Sequence, residues 1–138
     1  MALTAPRRDE FLSTPRVVAL ATNSESGIPI CVPVWFEWDG EVARMFTHKR
    51  SPKMKRLARD PRASLLVANA FGEPEHWVLL EGEIEIVNEG AMALAETLAE
   101  RYWDLSNPEH AKTLDSWRES ADDWCLLILK PSKIRSNI

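Results

Sequence analysis

The segment IPICVPVWFEWDGEVARMFT, Ile28 to Thr47, limits the fold more than any other stretch of the chain. Two runs rich in β-branched and aromatic residues flank Asp39-Gly40, a dipeptide suited to a tight hairpin turn. In an extended chain Ile30, Val32, Val34, Phe36 and Trp38 point one way, and Pro29, Cys31, Pro33, Trp35 and Glu37 the other. Pro29 and Pro33 have no N–H to give a ladder, so they mark an edge, a bulge or a break in pairing.

The same alternation of apolar runs and turn residues continues outside this hairpin. RVVALAT, Arg16 to Thr22, is a strand before it, joined through the turn NSESG. Glu41 to Thr47 is the returning strand. Arg62 to Asn69 and His76 to Val87 are two more, with Gly82 a point of bending in the second. Asp123 to Lys130 closes the chain as a sixth strand. Four helices are predicted between them. The first begins at Thr4, with Pro6 in its first turn, and ends before Pro15. The second has Ser51 as N-cap and Pro52 at its first position; Met54, Leu57 and Ala58 form its docking face, and it stops before Pro61. Glu89 to Trp103 is built of good helix formers, and Ala91, Leu94, Leu98 and Tyr102 share a core-facing side. Pro108 to Ser120 follows, capped by Asn107. Three strands in hairpin order imply antiparallel pairing. The fold class is mainly β (α+β): a six-stranded antiparallel β-barrel with flanking helices.

With 138 residues the chain suits one domain with a sizeable core. Cys31 and Cys125 lie in strand-like apolar runs and are expected to be buried thiols rather than a disulfide. The first eight residues lack the apolar centre of a signal peptide, and no run approaches the roughly 20 apolar residues of a membrane span. The expected location is cytoplasmic, with no membrane partner.

Charge is distributed unevenly. The net charge is −4, yet Lys49 to Arg62 holds seven of the 17 basic residues and one acid, Asp60. A helix opening at Ser51-Pro52 presents free N–H groups and partial positive charge at that end. Lys49, Arg50 and Lys53 surround it, with the hydroxyls of Thr47 and Ser51 close by. This is the outline of a phosphate site. Lys55, Arg56, Arg59 and Arg62 lie further along and are expected to be solvated or paired. The bland account of the stretch is a basic helix face that solvates itself. A nucleic-acid contact is disfavoured, since no aromatic residues interleave the cations as a single-strand binder needs.

Taken in order, FL…PRVVALAT…SGIPICVPVWFEWDG…MFTHKRSPKMKRLARDPRASLLV…HWVLLEGEIEIV resembles the pyridoxamine 5′-phosphate oxidase-like family of flavin-binding split barrels. The likeness covers roughly Glu10 to Val87, with Asp123 to Lys130 as a final barrel strand. It implies a split barrel that forms a homodimer, with FMN at the subunit interface. By position, Pro33, Val34 and Trp35 would lie along the isoalloxazine ring. Thr47, His48 and Lys49 would contact the ribityl chain and phosphate, and Ser51 and Lys53 would hold the phosphate. Trp77 would approach the flavin across the dimer. Two features depart from the pattern. Arg56 stands where members often carry Asn. The chain ends KPSKIRSNI and lacks the Arg-Leu-x-Pro substrate motif, which argues against vitamin B6 oxidation.

A flavin carries its own redox chemistry, so no side-chain nucleophile is required and no residue is assigned as catalytic. His48, His76 and His110 have no metal-ligand spacing, and no serine sits in a nucleophile elbow. The resemblance implies an FMN-dependent oxidoreductase acting on a small organic molecule. A deazaflavin-dependent reductase and a non-catalytic flavin- or haem-binding protein are the alternatives. Trp103, Trp117 and Trp124 line either a substrate pocket or the dimer seam, and the sequence does not choose between them.

Overall fold

The protein is described from a computed structural model over residues 4–137. Helix α1 is Ala5–Leu12, followed by strands β1 (Val18–Asn23), β2 (Pro29–Val34), β3 (Glu37–Trp38) and β4 (Ala43–His48). Helix α2 (Pro52–Arg59) precedes β5 (Arg62–Ala68) and β6 (Trp77–Val87). Helices α3 (Ala91–Tyr102) and α4 (Pro108–Glu119) and a short 3₁₀ turn separate β6 from β7 (Trp124–Ser136).

The strands form one antiparallel sheet in the order β2-β1-β5-β6-β7-β4-β3. Its two edge strands, β2 and β3, are separated in sequence only by Trp35 and Phe36. The sheet therefore curls until its edges meet. The result is a split barrel, and the place where the ladder is missing is the Trp35-Phe36 link.

The predicted strand from Ile28 to Trp38 is thus two strands, and the sheet has seven rather than six. Val34 is the last residue to pair with β1, opposite Val18. Phe36 then turns into the barrel, where it is 2% exposed, while Trp35 joins a separate aromatic cluster. Cys31 is exposed on edge strand β2, against the expectation of burial; β2 has a neighbour on one side only. Cys125 is buried, and both cysteines are free.

The last strand runs beyond its predicted end at Lys130, through Pro131, to Ser136. Its first half pairs with β4, and Leu126 to Ser136 pair with β6. The missing N–H of Pro131 is accommodated by a register shift at Glu81-Gly82, where Gly82 faces Pro131. Gly82 allows this because any Cβ there would overlap the Lys130 carbonyl oxygen.

The barrel interior is filled by Leu20, Phe36, Met45, Leu65, Leu80, Leu127 and Leu129, with Leu12 of α1 and Leu57 of α2 closing onto it. A smaller cluster forms where Leu94 and Leu98 of α3 cover Leu126 and Phe46. Strands β4 and β7 are consequently covered on both faces. The cap predicted at Asn107 is present, its side chain accepting from Glu109 N–H at 3.0 Å. Thr4 and Ser51 occupy N-cap positions without a side-chain cap bond.

Gly82→Val is expected to destabilise the fold by about 2 kcal/mol, since a side chain meets backbone that cannot move aside. Gly72→Ala has open space around it and a positive φ of 86°, so only the backbone conformation is strained, by about 1 kcal/mol. Urea unfolding of the two variants checks the order.

Candidate functional site

The turn from β4 into α2 is closely held. Ser51 N–H donates to the His48 carbonyl at 2.9 Å, and Arg50 N–H donates to His48 Nδ1 at 3.1 Å. Lys49 N–H donates to the Asp123 carbonyl at 2.8 Å, tying the turn to the start of β7. Ser51 is extended and Pro52 occupies the first helical turn, so the helix opens cleanly toward this turn.

Two cations of α2 point back into the barrel seam. Lys53 Nζ donates to Thr47 Oγ1 of β4 at 3.1 Å, and Arg56 Nε donates to Thr22 Oγ1 of β1 at 2.7 Å. Thr22 and Thr47, 2% and 5% exposed, are the buried polar residues among those described. Burial pushes the Lys53 ammonium down from its ordinary pKa, and the neighbouring Arg56 charge adds to the effect. Among the described residues, Arg62 is the one cation of this segment with an ion pair, to Asp60 at 2.8 Å. Hydrogen bonds led by the one from Arg62 hold the Asp60 carboxyl well below the usual carboxylate range. Lys53 and Arg56 have no such partner. Two half-buried positive charges facing hydroxyls, beside a helix N-terminus, form an electrostatic arrangement that an anion relieves.

Of the two expectations for Arg56, solvated or paired, the structure shows a hydrogen-bonded partner, a threonine hydroxyl rather than a carboxylate. The spacing of three places Arg56 on the face of Lys53 and Leu57, and this face meets the sheet. That spacing was the available signal, and Thr22, its partner from a distant strand, left none.

Next to the cations lies a cleft of about 440 Å³. Pro33, Val34 and Trp35 form one part of its lining, Thr47 and Lys53 the polar end, and Phe46, Trp103, Trp117 and Trp124 the aromatic remainder, with Val17 at the rim. Trp35 stacks on Tyr102 with centroids 5.0 Å apart, and meets Trp103 edge-on at 4.7 Å. The Tyr102 hydroxyl donates to the Arg16 carbonyl at 2.8 Å, and burial raises its pKa. The Cys125 thiol lies beneath the polar end, 3.7 Å from the Thr47 carbonyl; burial pushes its pKa up and keeps it in the unreactive thiol form.

Of the nine residues expected at a site, Pro33, Val34, Trp35, Thr47 and Lys53 line this cleft. His48, Lys49 and Ser51 form the turn at its polar end, and the His48 ring lies edge-on to Trp124 at 5.3 Å. Trp77 is elsewhere. It opens β6 opposite Ala68, and its N–H is bonded to Asn137 Oδ1 at 2.8 Å. A second apolar hollow, of about 300 Å³, shares Val17 and Pro33 with the cleft and continues over Cys31, Leu66 and Ala68. Val17 is 72% and Leu66 39% exposed.

A family model described as pyridoxamine 5′-phosphate oxidase matches residues 5–127. The chain belongs to this family. Within the pyridoxamine 5′-phosphate oxidase family fold, one similar solved structure is an F420 reductase, 24% identical, covering 91% of this chain and 94% of that one, with a TM-score of 0.75. Another is a conserved hypothetical protein from Mycobacterium tuberculosis, 26% identical over 97% of this chain and 84% of that one, with a TM-score of 0.72. A FAD-binding protein from Mesorhizobium loti is 18% identical over 99% and 93%, with a TM-score of 0.68. No curated protein matches the sequence. The matched region contains all nine candidate residues together with Thr22 and Arg56. Among the described residues no helix is long and apolar enough to cross a membrane, and no group of three or more His, Cys, Asp or Glu is placed to hold a metal.

Lys53 is held without a counter-charge, so removing its charge is expected to stabilise the free protein. Lys53→Met should gain roughly 0.5–1 kcal/mol in phosphate-free urea unfolding. Inorganic phosphate should raise the midpoint of the wild type and leave that of the variant unmoved.

Proposed function

We propose that the protein is a flavin-dependent oxidoreductase, working as a homodimer on a small organic substrate, with FMN as the cofactor. The observation that carries this is Lys53, half-buried and without a carboxylate, at the polar end of an aromatic-lined cleft, with Arg56 one turn further along the same face of α2. The donor set fits a phosphate: two cations, the Thr47 and Ser51 hydroxyls and the N-terminus of α2, with Lys49 at the entrance. The adjoining surface of Pro33, Val34 and Trp35 fits a flat, largely apolar ring. His48 fixes the turn through its bond from Arg50 N–H and takes no part in the chemistry. A bound flavin supplies the hydride chemistry, and the residues named here bind it, orient it and keep water away.

The dimer reading is supported by the apolar hollow over Cys31, Leu66 and Ala68, which is continuous with the cleft through Val17 and Pro33. A partner packed there would cover Val17 and Leu66 and wall off one side of the cleft. Trp77, paired with Ala68, borders this surface, which agrees with a contact to the partner's flavin rather than to its own.

A deazaflavin coenzyme is the second reading, favoured by the likeness to an F420 reductase. Its phosphate suits the same donors. Without turnover, the same site describes a flavin or haem carrier.

The visible spectrum of the purified protein titrated with FMN tests the first reading. Binding in the micromolar range, weakened at least about tenfold by Lys53→Met, is expected. A protein that ignores FMN and binds the deazaflavin establishes the second. The pH profile carries a further mark of Lys53. A bound phosphate favours the ammonium, so affinity is full while Lys53 is protonated and falls as pH rises through its pKa in the free protein. Burial sets that pKa below the ordinary 10.5. Lys53→Arg should remove this alkaline limb. The acid limb, near the second phosphate ionisation at about 6, should stay in place.

The dimer is tested separately. Leu66→Arg places a charge at the centre of the apolar hollow and should elute as a monomer on gel filtration, with flavin affinity reduced. A wild type that is itself monomeric overturns this part.

A further inference from the structure

The Trp35-Phe36 link lies outside the ladder, because β2 ends at Val34 and β3 begins at Glu37. Backbone groups at such a break need partners from elsewhere. One partner is a side chain at the end of α3. The Tyr102 hydroxyl donates to the Arg16 carbonyl at 2.8 Å and accepts from Arg16 N–H at 3.4 Å. The Phe36 backbone N–H is hydrogen-bonded to the same oxygen. One phenol thus joins the chain entering β1 to the link between the two edges of the sheet.

The anchor of this clasp is itself firmly held. The Arg16 side chain is 9% exposed, and its guanidinium meets Glu73 through two bonds, at 3.1 and 2.8 Å. The same group lies 4.0 Å from the centroid of the Phe11 ring. Arg16 therefore ties α1, the start of β1 and the β5–β6 loop together, and the Tyr102 hydroxyl is fixed to its backbone.

The ring of Tyr102 has a second role. It lies nearly parallel to Trp35, at an interplanar angle of 8°, whereas Phe46, Trp103 and Trp117 all meet Trp35 at steep angles. A stacked face defines the plane of a ring. Trp35 lines the cleft and Tyr102 does not, so Tyr102 bears on the cleft only through Trp35 and the link. Its one proton is given to the Arg16 carbonyl and is not free for a ligand.

We propose that Tyr102 is a positioning residue for the cofactor ring: its hydroxyl clasps the Trp35-Phe36 link to the entry of β1, and its ring sets the plane of Trp35 in the cleft. The inference rests on the flavin reading for the identity of the ring that Trp35 meets.

Tyr102→Phe keeps the stack and loses the clasp, and Tyr102→Leu loses both. FMN probes both ends of the cleft, and inorganic phosphate probes the Lys53 end alone. Titrated by visible absorption, Tyr102→Phe should weaken FMN binding about fivefold and Tyr102→Leu more than tenfold. The rise in urea midpoint that phosphate produces should remain that of the wild type in both, which a general loosening of the fold would not allow. In the free protein, the near-ultraviolet circular dichroism bands that Trp35→Phe removes should be altered by Tyr102→Phe. If the wild type binds FMN and Tyr102→Phe binds it equally well, or if FMN and phosphate weaken together, the positioning role is overturned and the flavin reading stands. If the wild type refuses FMN, the flavin reading falls, and the bands of the free protein decide whether the clasp sets Trp35. Trp35 bands unchanged by Tyr102→Phe overturn it in either case.

Discussion

Trp35 and Phe36 join the opposite edges of a seven-stranded sheet, and the rest of the architecture follows from that constraint. Laid flat, edge strands of such a sheet would be about 29 Å apart at ordinary strand spacing. The three steps from Val34 to Glu37 span at most about 11 Å. The sheet has to curl, and the curl encloses Leu20, Met45, Leu65, Leu80 and Leu129 in one interior. At the link the ladder is absent. One side chain, Phe36, goes inward and completes the core, while Trp35 goes outward and begins the aromatic cluster. Closure of the barrel and opening of the cleft are thus one structural event.

Helix α2 works across the same seam. Its Lys53 bonds to Thr47 of β4, while Arg56 and Arg59 bond to Thr22 Oγ1 and the Asn23 carbonyl of β1. Strands β1 and β4 are not neighbours in the sheet, so the helix bridges the two margins of the split. Leu57 supplies the apolar contact, and charged side chains supply the rest. A helix held this way carries the positive charge of Lys53 to the cleft where β2 leaves the ladder, while Arg56 and Arg59 lie toward the start of β2. An anion bound there would also strengthen the closure, because it would neutralise the repulsion between the two cations that bridge the strands.

What was legible in the sequence was local. The Asp39-Gly40 turn, the Asn107 cap, the Ser51-Pro52 helix start and the core face of Ala91, Leu94 and Leu98 each depend on residues within one or two turns of chain. Of the cleft residues, Thr47 and Lys53 were reachable from the cations and hydroxyls gathered at a helix start, and Pro33 to Trp35 because the order of the motifs resembled a known family. The misses depend on partners far along the chain. Pro131 reads as a strand end until Gly82, 49 residues earlier, is seen to accept the bulge. Cys31 reads as buried until β2 is known to be an edge. Arg56 reads as solvated or paired, with no partner to name, until β1 brings Thr22 beneath it. Trp103, Trp117 and Trp124 read equally as pocket or dimer-seam residues until a helical insertion and a closing strand set them on one wall of the cleft.

The unfavourable groups in this region share a location. Lys53, half-buried with no counter-charge, lines the cleft, and so does the ring of Trp124, whose Nε1 is buried beneath the surface with no acceptor among the described residues. Cys125, the nearby thiol, is held in its unreactive form by burial, and the lining has no side chain arranged as a nucleophile. Such an arrangement binds and orients but does little chemistry by itself. It presents positive charge at one end and aromatic faces along the rest. A cleft of this kind suits a molecule that brings its own reactivity, and the uncompensated charge of Lys53 favours one that carries an anion to the α2 end.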